Sequence, residues 1–213
     1  MIRLACVNTG TARAIATKSG RSGITKTPRD GMVEIGALGL DGDTIVDTDN
    51  HGGRDQAVYA YGLPDYAFWE SELGRPLPPG TFGENLTLEG VASADFAVGD
   101  RLHIGDTVLE VTSPRIPCVT LGAHMGDAGF VRRFARARRP GPYFRVIAPG
   151  TVTAGDRVRH IPFDGPRLSI ADLADMTPPA RLSDADLDLR LATPVHRLLR
   201  ATCAAERDRR HTS

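Results

Sequence analysis

"GDRLHIGDTVLEVT", Gly99 to Thr112, carries the clearest fold signal in the chain. Leu102 and Ile104 alternate with Arg101 and His103, Gly105-Asp106 suits a tight turn, and Val108 to Val111 returns. A period of two places successive side chains on opposite faces, so one face is apolar and the other wet. The stretch predicts a β-hairpin set against a core. "YFRVIAPGTVTAGDRVRHI", Tyr143 to Ile161, repeats the grammar with Val152 and then Gly155-Asp156 opening a strand over Arg157 to Ile161. Two such similar pieces are too few for a solenoid.

The same texture fills the chain up to residue 162. "IRLACV" (Ile2 to Val7) and "RAIAT" (Arg13 to Thr17) flank the turn-rich "NTGT" and are expected to pair as a hairpin. Helices interrupt the pattern at "PDYAFWESEL" (Pro64 to Leu73), with proline in its first turn, and at "DAGFVRRFARARR". The latter sets Phe130, Phe134 and Ala137 on one stripe against Arg132, Arg136 and Arg139 on the other, a solvated face. From residue 163 the texture turns helical. "RLSIADLADM", "LSDADLDLRL" and "PVHRLLRATCAAERDRR" read as three helices, with Ser169 and Ser183 as caps and Thr177-Pro178-Pro179 as a break. The fold class is therefore α+β, a β-rich domain over 1–162 followed by a small helical extension over 163–213, which is too short for a secure core of its own.

Composition narrows the function. With 213 residues, 41% hydrophobic and 24% charged, the chain has the makeup of an ordinary globular protein. Basic and acidic residues balance at 26 each, so no overall field favours nucleic acid or an acidic membrane surface. Of the basic residues only Lys18 and Lys26 are lysine; the rest are arginine, the bias of a GC-rich genome or a preference for forked donors that suit phosphate. Cys6, Cys118 and Cys203 are scattered, odd in number and without a CxxC pattern, which argues against a disulfide framework and for a reducing compartment. With no signal-peptide core and no long apolar run, the expectation is a cytoplasmic protein that does not enter a membrane.

Four stretches carry polar groups that packing alone explains poorly. In "DNHGGRDQAVYAY" (Asp49 to Tyr61), Gly52 and Gly53 follow His51, a side chain that titrates near neutrality; the alternative is a glycine loop entering a strand. In "GTFGENLTLEG" (Gly80 to Gly90), Gly83 and Glu84 turn toward Asn85, whose amide either reads a heterocycle's edge or closes an Asx-type turn before a strand over Leu86 to Leu88. In "SPRIPCVTLG" (Ser113 to Gly122), Pro114 and Pro117 stiffen the loop that holds Cys118. Arg115 favours the thiolate of Cys118 if the two meet in space. A thiolate there suits a soft metal, or nucleophilic and persulfide chemistry, while Cys6 and Cys203 read as inert core cysteines. In "RRPGPYFRVIAPG" (Arg138 to Gly150), Arg145 stands in an apolar strand and must pair, face solvent or face an anion.

In this order "GLDGD", "HGGRDQAVYAY", "FGENL", "GDRLHIG", "PRIPC" and "RVIAPGTVTAGD" resemble the MOSC domain, the family named for the C-terminal domain of molybdenum cofactor sulfurase. The resemblance runs from residue 1 to 161, and the tail is similar to the three-helix extension of stand-alone bacterial members. It implies a barrel-like fold that binds a molybdopterin-type molybdenum cofactor, with Cys118 as the metal's protein ligand. It also implies that His51, Gly52, Gly83, Asn85, Arg115 and Arg145 line the cofactor pocket. The function it implies is reduction of N-hydroxylated compounds such as hydroxylaminopurines, with Cys118 and His51 catalytic. The alternative is a sulfur carrier or cofactor-transfer protein. The chain has neither a clustered-cysteine iron–sulfur motif nor a GxGxxG fingerprint after a strand, so a reductase here draws electrons from a separate donor protein. A zinc hydrolase using Cys118 with His103 or His124 finds no support, since HExxH and close Cys/His spacings are missing from the sequence.

Overall fold

The computed structural model describes residues 1–48 and 51–212. Strand β1 (Ile2–Thr9) is followed by the two-residue strands β2 (Arg13–Ala14), β3 (Arg21–Ser22) and β4 (Thr27–Pro28), then by β5 (Val33–Gly36) and β6 (Gly39–Leu40). Next come β7 (Val58–Gly62), helix α1 (Leu63–Leu73), β8 (Leu86–Glu89), and the hairpin β9 (Arg101–Ile104) and β10 (Thr107–Pro114). Helices α2 (Val119–His124) and α3 (Phe130–Ala137) lead to β11 (Pro142–Ala148), β12 (Gly150–Val152) and β13 (Arg157–Ile161). The tail holds α4 (Ile170–Leu173), α5 (Asp184–Leu191) and α6 (Arg197–His211).

The hairpin read from "GDRLHIGDTVLEVT" forms as expected, with Thr107 opposite Ile104 and Leu109 opposite Leu102. Strands β13, β9, β10, β11, β7, β8 and β1 pair in that order, and Ile2 of β1 returns to lie opposite Val158 of β13. Seven strands thus close into a barrel, which leaves no open edge within the ring. Inward residues of the hairpin (Leu102, Ile104, Leu109, Val111) meet Leu4, Val58 and Phe144 with no solvent exposure. Each such side chain contributes roughly 1.5–3 kcal/mol by leaving water.

Strand β7 serves two cores because its side chains alternate. Val58 and Ala60 point into the barrel, whereas Tyr59 and Tyr61 point outward into an aromatic cluster with Trp69 of α1, Phe82, and Phe130 and Phe134 of α3. Trp69 and Phe134 stack with centroids 5.7 Å apart and planes 2° from parallel. The polar tips are satisfied: Trp69 Nε1 donates to Tyr61 Oη at 2.8 Å, and Tyr61 and Tyr59 donate to the carbonyls of Arg139 and Pro140, each at 2.9 Å. This cluster is the floor beneath the loop that carries Cys118.

Two sequence expectations need correction. The segment Ile2 to Val7 does not pair with Arg13 to Thr17; β1 lies between β8 and β13 and meets β4 at its far end, while Arg13–Ala14 pairs with Arg21–Ser22. Burial of Leu4 and Val7 in the barrel extends β1 through Asn8 and Thr9, so the "NT" of the supposed turn belongs to the strand. Along α3, Arg132 and Arg136 are exposed as read, but the helix ends at Ala137, and Arg139 lies beyond it and not on a solvated stripe. It reaches Asp65 at 2.8 Å and lies over the Phe68 ring at 4.6 Å, because Asp65 is fully buried and needs a partner.

The tail helices begin where the sequence places their caps. Ser169 Oγ accepts from the Asp172 amide and Ser183 Oγ from the Asp186 amide, both at 3.1 Å. Leu168, Leu173 and Val195 pack with Val98 of the barrel domain, so the tail shares a core with it. Among the described residues no helix is long and apolar enough to cross a membrane.

Candidate functional site

Cys118 sits at a corner between strand and helix. β10 ends at Pro114, Arg115 donates its amide to Gly141 O at 3.0 Å, and Cys118 adopts extended geometry (φ −128°, ψ 169°) as the residue preceding α2. Its carbonyl accepts from the Leu121 amide at 3.0 Å, which fixes the corner. Burial alone would push the thiol up. A hydrogen bond with His51, the Arg115 charge and the Leu121 amide outweigh it and bring the thiol down to about 6. Cys6 and Cys203 show the opposite, since burial raises both. The stiff loop therefore holds a sulfur that is largely thiolate at neutral pH.

His51 arrives from the glycine loop before β7; Asp49 and Asn50 at the head of that loop lie outside the described residues. Its pKa is raised, first by the hydrogen bond to Cys118, against burial, with the charges of Cys118 and Asp47 adding to the rise. Asp47 Oδ2 lies 3.4 Å from His51 Nδ1. Gly52 lets the chain turn here: its φ is +77°, and a Cβ would stand 2.9 Å from Ile45 Cδ1.

Arg115 is 5% exposed, with its guanidinium 5.5 Å from the Tyr59 ring centre and 5.8 Å from that of Phe134. Its Nη1 is buried with no hydrogen-bond partner among the described residues. A buried, always-charged group left this way is costly unless an anion completes it.

His51, Gly52, Gly83, Asn85, Arg115 and Cys118 line one cleft together with Tyr59 and Tyr143. The cleft encloses about 120 Å³ and opens to solvent at its mouth, so it is a shallow, accessible site, smaller than the usual enclosed small-molecule pocket. Sequence reasoning thus names six residues that the fold brings together from distant positions. Asn85 differs in role, because its amide is spent on the protein. Oδ1 accepts from the Tyr59 amide at 3.2 Å, and Nδ2 donates to Asp43 at 2.9 Å and to Asn8 O at 3.4 Å. Asn85 is a fastener of the cleft wall, not a free reader of a heterocycle. Arg145 is not in the cleft. It pairs with Asp55 at 3.0 Å and donates to Pro194 O at 3.1 Å, tying β11 to the tail, so of the residues expected to line the pocket it is the one that stands outside this cleft. Strand alternation sends it to the outer face of the barrel, where Asp55 supplies the missing charge.

Three groups escape the sequence reading. Lys26 and Asp43 line the cleft as an ion pair, each side chain only 7% exposed. Glu84 is fully buried and its pKa is raised by burial; it accepts from Tyr66 Oη at 2.5 Å, Gly80 N at 2.7 Å and Thr87 Oγ1 at 2.8 Å, organising the loop that carries Gly83. The only available hint was Lys26 itself, rare in an arginine-rich chain. His103 lies on the outer face of β9 near Arg159, and His124 faces Thr25, so neither joins Cys118 in a metal-binding set. Among the described residues no three His, Cys, Asp or Glu side chains converge on a metal position.

The MOSC domain family model matches residues 47–159, which spans the loop of His51, the barrel strands and Cys118. The chain belongs to the MOSC-domain family. Relatives include the protein YflK of Bacillus subtilis (strain 168), 38% identical over 134 residues, covering 63% of this chain and 61% of YflK. The protein YiiM of Escherichia coli (strain K12) is 30% identical over 160 residues, covering 73% of this chain and 67% of YiiM. A protein of Gibberella moniliformis (strain M3125 / FGSC 7600) named "Reductase" is 32% identical over 157 residues, 71% of this chain but only 28% of that protein. The crystal structure of YiiM from Geobacillus stearothermophilus superposes with a TM-score of 0.79 at 26% identity, over 97% of this chain and 99% of the other. The MOSC barrel and its helical tail are therefore shared as one arrangement.

Proposed function

We propose that this MOSC-domain protein binds a molybdopterin-type molybdenum cofactor in the cleft and reduces N-hydroxylated compounds, taking electrons from a separate donor protein. The observation that carries the reading is the pairing of a stabilised Cys118 thiolate with the partnerless, buried Nη1 of Arg115 in one cleft. A soft sulfur donor suits molybdenum, and a desolvated guanidinium suits the anionic side of a pterin phosphate, so the residues present fit the group. The fungal relative named "Reductase" supports the redox class.

When bound, the cofactor supplies a centre able to exchange two electrons. The chain's own residues do the remaining work. Cys118 fixes the sulfur at one position because its loop is braced by Pro117 and by the start of α2. Arg115 neutralises negative charge, and its position over the Tyr59 ring, 5.5 Å from the ring centre, holds the guanidinium in place. Tyr59 and Tyr143 exclude water from one wall. His51 or a cleft water supplies a proton as a hydroxylamine nitrogen–oxygen bond is replaced by nitrogen–hydrogen and water.

The test is expression in a host that makes molybdenum cofactor, followed by measurement of bound molybdenum and pterin in wild type and Cys118→Ser. Stoichiometric metal in wild type and its loss in the variant are expected; equal metal in both overturns the ligand assignment. Chemically reduced, loaded protein should then convert 6-hydroxylaminopurine to adenine. Loaded protein that reduces neither this base nor a hydroxamate points instead to the carrier reading, which the low-lying thiol of Cys118 also suits.

A further inference from the structure

The chain has only two lysines, Lys18 and Lys26, among its 26 basic residues. Lys18 lies in the exposed turn between β2 and β3, whereas Lys26 is enclosed in the cleft wall. Its Nζ donates to both carboxylate oxygens of Asp43, and among the described residues it has no other acceptor. An ammonium carries three N–H groups, so one remains directed away from Asp43. Asp43 is itself held from two further sides, by the Gly10 amide at 2.9 Å and by Asn85 Nδ2 at 2.9 Å. The carboxylate is thus a fixed socket and the ammonium a positioned head.

A fastener alone does not need lysine here. Arginine has five donors, forks onto a carboxylate and is what this chain uses at its other carboxylate pairs with a permanent cation among the described residues, such as Arg139–Asp65 and Arg145–Asp55. What arginine cannot do is give up a proton. Burial lowers the pKa of Lys26, with Asp43 and Glu84 opposing the fall.

We infer that Lys26, held by Asp43, is a catalytic residue of this cleft whose free N–H meets the oxygen of an N-hydroxylated substrate and protonates it as it leaves as water. The inference rests on the reductase reading above. The nitrogen–oxygen bond breaks, two electrons from the donor protein reduce it, and the Lys26 proton goes to the departing oxygen. The second proton goes to the nitrogen from His51 or a cleft water. Lys26, left as a neutral amine, regains its proton from solvent.

The test has one arm without cofactor and one with it. Lysine labelled with carbon-13 at Cε gives two resonances in this chain, one per lysine. Benzhydroxamic acid or 6-hydroxylaminopurine should move the Lys26 resonance and leave that of Lys18 in place. In cofactor-loaded protein, Lys26→Arg and Lys26→Gln should retain wild-type molybdenum and pterin. Their kcat should fall about a hundredfold, the scale of a lost general acid, with KM changed little. Lys26→Arg keeps the charge and the Asp43 pair, so its fall separates proton donation from folding. Wild-type turnover in both variants, or a Lys26 resonance unmoved at saturating probe, overturns the assignment of Lys26 while leaving the reductase reading intact. No reduction by loaded wild type removes the reductase reading and the Lys26 step with it.

Discussion

The imidazole of His51 shares a hydrogen bond with the sulfur of Cys118 across a cleft whose two sides are 67 positions apart in sequence, and that bond is the chief force stabilising the thiolate against burial. Carbamidomethylation of Cys118 by iodoacetamide should rise with a midpoint near pH 6. Cys6 and Cys203, both raised by burial, should stay slow through neutrality. His51→Ala should move the Cys118 midpoint upward. The linkage sign follows: a thiol depressed from 9.0 contributes stability that is fully present above its ordinary value and is lost as pH falls through about 6. An unchanged midpoint in His51→Ala would show that Arg115 and the helix start suffice.

Arg115 is the second support of that thiolate and the only buried guanidinium in the cleft with an orphaned nitrogen among the described residues. Arg115→Met should raise the Cys118 midpoint and weaken retention of an anionic cofactor by about tenfold or more, the worth of one charge-assisted hydrogen bond. Arg115→Lys should restore much of the midpoint, since the charge remains, but less of the retention, since the fork over Tyr59 is lost. Pterin content after gel filtration, measured beside the alkylation profile, checks both.

The barrel was legible because period-two alternation is a local signal: Leu102, Ile104, Leu109 and Val111 announce one wetted and one buried face without reference to anything distant. The same signal failed for Ile2 to Val7, since alternation shows that a strand exists but not which strand it pairs with; the partner is chosen by barrel closure. The cleft divides in the same way. Cys118 and His51 carry chemistry in their own side chains and stand in stiff or glycine-rich loops, so they could be named in advance. Arg145 carries the same kind of signal as Arg115, a guanidinium among apolar neighbours, and only the fold shows that Asp55 pairs with the one while the other, among the described residues, meets no carboxylate and faces Cys118. Lys26 and Asp43 meet across 17 positions through tertiary packing, and no spacing rule joins them.

The aromatic floor beneath Cys118 makes stability and site geometry inseparable at Phe134, which is 1% exposed, stacks on Trp69 and lies under Arg115. Phe134→Ala should cost roughly 3–5 kcal/mol, the sum of lost transfer energy and the cavity left behind. Phe134→Leu should cost less in urea unfolding yet still loosen Arg115, because the ring face that meets the guanidinium is gone. A Leu variant with full stability and an unaltered Cys118 midpoint would assign Phe134 to packing alone.

Arg145 offers the sharpest contrast with the cleft residues. Its guanidinium meets Asp55 at 3.0 Å and the carbonyls of Pro194 and Val195 at 3.1 and 3.3 Å, while Asp55 Oδ2 accepts the Arg197 amide at 2.8 Å where α6 begins. Arg145→Met leaves the Asp55 carboxylate, 9% exposed, short of its cation and removes two tethers to the tail. The expected cost is roughly 1.5–3 kcal/mol, the range for hydrogen bonds to charged groups. Amide exchange at Arg197 and its neighbours should quicken, since α6 loses the pair that anchors its first turn. Molybdenum and pterin content and the Cys118 midpoint should stay at wild-type values, because nothing that Arg145 touches lines the cleft. Loss of cofactor at unchanged stability would return Arg145 to the binding site.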